Sequence, residues 1–114
     1  ETVTWPVTKG PYAKTSAYID AKPSQNGNNS LHTIAVYTNG FSGTLKIQGT
    51  LVTTAVQDSD FADITATDQT SPITFTNSTG VKYFNFTGVW QNVRLSWGNT
   101  GSNTGVIDKI LYRQ

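Results

Sequence analysis

Any chemistry in this 114-residue chain has to come from very few side chains. It has one histidine, His32, one glutamate, Glu1, and no cysteine. Its only acidic cluster is DSDFAD, which holds Asp58, Asp60 and Asp63, with Asp68 close behind. An enzyme would have to draw its acid chemistry from these aspartates. His32 has no acidic neighbour or nucleophile at a recognisable spacing, so its favoured reading is a histidine at the edge of the core or at an interface. Serine and threonine are abundant, but none stands in a Gly-x-Ser-x-Gly elbow. Two carboxylates at alternate positions are the start of a calcium-binding pattern. The EF-hand loop also needs a Gly after its third ligand and a Glu at its twelfth position, and both are missing. A turn whose Asp side chains bond backbone amides is favoured. No catalytic residue, metal or cofactor is expected.

The aromatic residues admit a second kind of chemistry, because sugar rings stack on exposed Trp and Tyr faces. Trp90, flanked by Gln91 and Asn92, is the first candidate for a glycan contact, and Tyr12 is a weaker one. Tryptophan is equally at home in sandwich cores and subunit interfaces, where it brings a large buried area and one donor. That second reading is favoured. The loops at residues 24–30 and 98–104 are rich in Asn and Gly and could present amides to sugars or simply turn. Three Asn-x-Ser/Thr sequons, at Asn28, Asn77 and Asn85, are what chance supplies in a chain so rich in Asn and Thr.

The elements that position these residues read as strands. Charged residues make up only 13% of the chain and hydrophobic ones 36%, with Thr, Ser, Asn and Gly filling the difference. Thr favours strands while Asn and Gly serve turns. A chain of this mass folds to roughly 6,000 Å² of surface from roughly 18,000 Å² extended, enough for one two-layer core. Net charge is +1, and the eight Lys and Arg are scattered from Lys9 to Arg113. That leaves no footprint for nucleic acid or an anionic membrane. No apolar run approaches the roughly 20 residues of a membrane helix. The chain lacks Met and opens on Glu1, which reads as leading residues removed by processing or lying outside the sequence.

Residues 1–11 read as an edge strand or extended arm, because Pro6 cannot donate to a ladder. Further strands are expected over residues 13–19, 31–38, 44–51, 73–76, 81–87, 92–97 and 106–112, with a short one near Phe61 and Ile64. Asn39-Gly40 reads as a two-residue turn, and residues 77–80 as another. Gly49 falls at an inward position, which suggests a bulge or the close approach of another element. The densest stretch, residues 84–97, reads as the central hairpin, joined through Gly88. Val106 to Tyr112 carries apolar residues on both faces, so one side is free to meet another subunit. The expected fold is a single all-β domain over residues 1–114, an antiparallel jelly-roll-like β-sandwich of about eight strands.

From GTLKIQGTL through FADI and SPITFTNSTGVKYFNFTGVWQNVRLSW to NTGVIDKILYR, the order of segments resembles a small β-sandwich module of virion structural proteins in tailed bacteriophages, particularly cyanophage-like and T4-like ones. The shared features are the Asp60-Phe61 turn, the Gly88 to Arg94 segment and the Gly105 to Ile110 ending. They span roughly residues 43–113; the amino-terminal third has no recognised equivalent. The resemblance implies a non-enzymatic accessory virion component (capsid decoration, neck, tail or fibre). Its partners would be other virion proteins and copies of itself, as a homotrimer. Val3, Trp5, Phe41, Val106 and Tyr112 are the contact residues expected on this reading. The alternative is a carbohydrate-binding module or receptor-binding tip using Trp90 and Tyr12.

Overall fold

The computed structural model describes residues 2–5, 14–15, 18–23, 30–99 and 105–114. Eight strands follow in order: β1 (Thr2–Trp5), β2 (Lys14–Thr15), β3 (Ile19–Asp20), β4 (Leu31–Thr50), β5 (Ala62–Ile64), β6 (Ile73–Thr87), β7 (Asn92–Asn99) and β8 (Val106–Arg113). A 3-10 turn, Asp58–Asp60, precedes β5. All pairings are antiparallel, and the main path runs β1-β8-β4-β7-β2, with β3 on β7 and both β5 and β6 on β4. The result is a small all-β domain whose one curled sheet forms a half-barrel around a single core.

β4 is the spine of this sheet. Straight, its 20 residues would reach about 66 Å, yet the longest axis of the described molecule is 41 Å. The strand therefore has to bend. Its first half lies between β6 and β8, and its second half between β7 on one side and β5 with the start of β6 on the other.

The bend shows in which residues point inward. His32, Ile34, Val36 and Thr38 are buried, and then the phase slips to Phe41, Leu45 and Ile47. On β6 the buried set moves from Ile73 and Phe75 to Ser78, Phe84 and Phe86, and on β8 from Ile107 to Ile110 and Tyr112. Each slip is a bulge, one extra residue that bends a strand while keeping its apolar side inside. On β4 it falls between Thr38 and Phe41, next to Gly40 at φ +64; on β6 it falls between Phe75 and Ser78, at Asn77 with φ 43. The β8 bulge lies between Ile107 and Lys109. Three adjacent strands thus crease at one level, and the sheet folds over along that line.

Three sequence expectations change here. Asn39-Gly40 does not reverse the chain: a type I′ turn needs positive φ at both residues, and only Gly40 has it. The expected turn over residues 77–80 is likewise a bulge inside β6, so two pairs of short expected strands are two long ones. Nor are residues 84–97 a hairpin. The end of β6 pairs with Leu31 to Ile34, and β7 pairs with Gly43 to Thr50, so the chain crosses from one half of β4 to the other. Gly88, at φ +133, begins that crossing. Residues 2–5 form the edge strand beside β8.

The inward side chains of both halves make one cluster. Phe41, Phe75 and Phe84 form an edge-to-face chain, with centroids 5.6 and 6.0 Å apart. Such pairs add to plain area burial and favour one arrangement of the rings. Ala21 and Ala66 are buried with them, contributed by the connecting segments.

Candidate functional site

His32 is fully buried at the end of the core, stacked on Phe86 with ring centroids 4.7 Å apart and near-parallel planes. Its Nε2 lies 2.9 Å from the Gly88 carbonyl oxygen, which can only accept, so Nε2 carries a proton. Nδ1 of the neutral ring then accepts from the Tyr112 hydroxyl at 2.7 Å. Both ring nitrogens are satisfied, and the histidine ties β4 to β8 and to the start of the crossover. Burial lowers its pKa below the usual 6.5, and the Gly88 carbonyl partly offsets this. Burial, with the charge of Asp20 adding, pushes the Tyr112 phenol well above its usual 10. At neutral pH the imidazole is therefore held neutral and the phenol protonated.

This has a measurable consequence. The unfolded chain takes up a proton on His32 at about pH 6.5, whereas the folded chain does so only at lower pH. Below about pH 6.5 the unfolded state therefore holds more protons. The contribution of His32 to stability is complete above that pH and is lost as the pH falls. The thermal midpoint should hold steady from pH 8 to 7 and decline from 6.5 to 5.5, in a range above most carboxylate titration. His32→Phe should lower the midpoint throughout and flatten the slope in that window. An unchanged slope in the variant would assign the effect elsewhere.

Trp90 is half-buried against the core, and its Nε1 donates to the Thr87 carbonyl oxygen at 3.1 Å. A Cβ on Gly49 would come within 2.7 Å of its Cε3, and one on Gly88 would collide with its Nε1. The inward glycine of β4 is thus the seat of this indole, the close approach expected from the sequence. Tyr12 and the loop residues 24–29 and 100–104 lie outside the described residues.

The aspartates are engaged one by one. Asp58 accepts from Arg94 Nη1 at 2.8 Å, and the Arg94 guanidinium lies 4.1 Å from the Phe61 ring centroid while its Nε donates to Gln48. Asp60 closes the 3-10 turn by accepting from the Gln57 amide at 2.8 Å. Asp63 accepts from Gln48 Nε2 at 2.8 Å and lies 3.8 Å from Lys46 Nζ. Asp68 sits at a left-handed turn position. Among the described residues no three of His, Asp and Glu converge on a point where they could hold a metal ion. Arg94, with its side chain only 13% exposed, anchors the segment before β5 to β4 and β7.

The chain matches no family model, no curated protein and no solved structure.

The expected contact residues divide. Phe41 and Tyr112 are buried to 0% and 2% exposure, so their side chains pack the core instead of a contact surface. The bulges at Thr38–Phe41 and Ile107–Lys109 set the inward phase at both positions. Val106 is half-buried at the crease, paired with Asn39. Val3 and Trp5 sit in β1 opposite Tyr112 and Ile110; their side chains lie outside the described residues.

Sequence reasoning did not single out Tyr83. It stands 65% exposed on the outer face of the β6-β4-β8 half, and Val81 beside it is 42% exposed. Ala35 lies between Tyr83 on β6 and Leu111 on β8. Together with Thr33, Tyr112 and Arg113 these residues line an open groove of about 330 Å³. Part of the signal was present in the doubly apolar Val106 to Tyr112 run, whose outward member is Leu111.

Proposed function

We propose that the chain is a non-enzymatic accessory virion structural protein, acting through contacts with neighbouring virion proteins and with copies of itself. The observation that carries this reading is the work done by the residues of the phage-module resemblance. Gly49 and Gly88 seat Trp90, Arg94 anchors the segment before β5, and Gly105 abuts the Gly40 backbone at the crease. These are scaffold roles. The ionisable groups of the acidic cluster are likewise tied to backbone and side chains of the chain itself, which leaves surfaces as the means of action.

On this reading the curled sheet is the jelly-roll-like sandwich of the resemblance, with the two halves of β4 belonging to facing layers. In its favour, inward residues from both halves share one core. The assembly is a homotrimer on an extracellular particle, since closed rings of such modules satisfy identical contacts on every copy. Sedimentation equilibrium tests it directly. The expected mass is three times the 12.4 kDa chain, together with co-purification of the protein with intact phage particles. A dilute, stable monomer that stays off the particles overturns the reading.

A further inference from the structure

We infer that the outer face of the β6-β4-β8 half is a binding site for an acidic saccharide. The inference rests on this face alone and does not depend on the virion reading. Register places three outward rows across the strands: Val81-Tyr37-Lys109, Tyr83-Ala35-Leu111 and Asn85-Thr33-Arg113. The middle row forms the groove, with Ala35 as its floor at 5% exposure and Tyr83 and Leu111 as its walls. Its volume of about 330 Å³ falls at the small end of the roughly 300–1,000 Å³ typical of small-molecule sites.

The chemistry of the rows selects the ligand. A tyrosine ring carries a negative face, which attracts the weakly positive C–H bonds on one face of a pyranose. Thr33 Oγ1 donates to Asn85 Oδ1 at 2.7 Å, which fixes the amide and leaves its NH2 to donate to a hydroxyl or carboxylate. Both charged groups on the face are cations. Lys109 Nζ is held 4.6 Å above the Tyr37 ring, and Arg113 is exposed at the groove's end. None of the nine outward positions carries a carboxylate. Arg presents a planar fork that pairs a carboxylate or sulfate through two hydrogen bonds. A neutral sugar would leave this fork unused, and an acidic one fills it.

A protein partner fits less well. Stable protein interfaces use roughly 20–30 residues a side, whereas these three rows offer nine outward positions, extended onto β1 by the exposed polar Thr4 beside Leu111, with an apolar strip confined to Val81, Tyr83, Ala35 and Leu111.

The test is an amide chemical-shift titration of the protein with trigalacturonate and with a chondroitin sulfate tetrasaccharide, using cellotriose as the neutral comparison. Saturable shifts are expected at Thr33, Ala35, Tyr83, Asn85, Leu111 and Arg113 with at least one acidic probe, with a Kd on the order of 0.1–1 mM. Tyr83→Ala and Arg113→Gln should each weaken binding about tenfold while leaving the thermal midpoint in place, since both side chains are exposed. Raising ionic strength should weaken it further, as for any exposed charge pair. Failure of both acidic probes to saturate, equal binding of cellotriose, or shifts centred on Trp90 would overturn the inference. So would self-association that Tyr83→Ala abolishes, because a second copy would then be the occupant.

Discussion

Gly105→Ala is expected to be the most damaging small substitution in the chain, preventing β8 from docking at the crease. A Cβ at residue 105 would collide with the carbonyl carbon and oxygen of Gly40 and come within 2.6 Å of the Phe41 amide nitrogen. These are backbone atoms inside a bulged strand, so no rotamer change relieves the clash. Either β4 or the entry to β8 has to move, and both are tied to the same core through Phe41 and Ile107. Overpacking that side chains can absorb costs about 1–3 kcal/mol. A clash against fixed backbone should exceed that range, at about 4 kcal/mol or more. Urea unfolding measures it through the midpoint, or through failure of the variant to fold at all. Gly80→Ala is the control: it also has a positive φ, +114, but open space around the added carbon. It should lose only the backbone-strain component, on the order of 1 kcal/mol. Equal losses in the two variants would show that the close approach of residue 105 to β4 does not hold in solution.

Phe41→Ala is expected to remove about 3–5 kcal/mol, the range for large aromatic truncations in a core. Phe41 has no exposed surface, and its ring meets Phe75 edge-on at 5.6 Å. It also stands immediately after the β4 bulge, where no neighbouring segment can collapse into the cavity without undoing the crease. The measurement separates two roles. If Phe41 served a subunit contact, its loss would reduce association and leave the stability of a dilute chain nearly untouched. A core residue instead lowers the urea midpoint at every protein concentration. A midpoint shift that vanishes on dilution would return Phe41 to the interface.

The sequence was read most accurately where its physics is local. Alternation in TLKIQGTL puts Leu45, Ile47, Gly49 and Leu51 on one face against Thr44, Lys46, Gln48 and Thr50. Leu45, Ile47 and Gly49 are buried as expected, but the pattern fails at the strand's end, where Thr50 is buried and Leu51 is 69% exposed. It also marked inward Gly49 as a bulge or a place of close approach, and the second holds, with Trp90 and Ile64 filling the space. Asp58, Asp60 and Asp63 each bond to groups of the chain itself.

What sequence alone left undetermined is where a strand bends and which strand it meets. Gly40 and Asn77 look like turns because turns and bulges use the same left-handed residues. Only the ladder partners decide between them: β6 and β8 keep pairing with β4 through the crease, so the chain continues instead of reversing. The same holds for residues 84–97, whose two apolar runs could have paired with each other but lie on opposite halves of β4. His32 shows the limit most clearly. By sequence it is a histidine within an alternating strand; its partners, Tyr112 and the Gly88 carbonyl, lie 80 and 56 residues away. Composition and alternation determined an all-β domain. Long-range pairing, which has no local signature, decided the crease, the buried histidine and the exposed Tyr83 face.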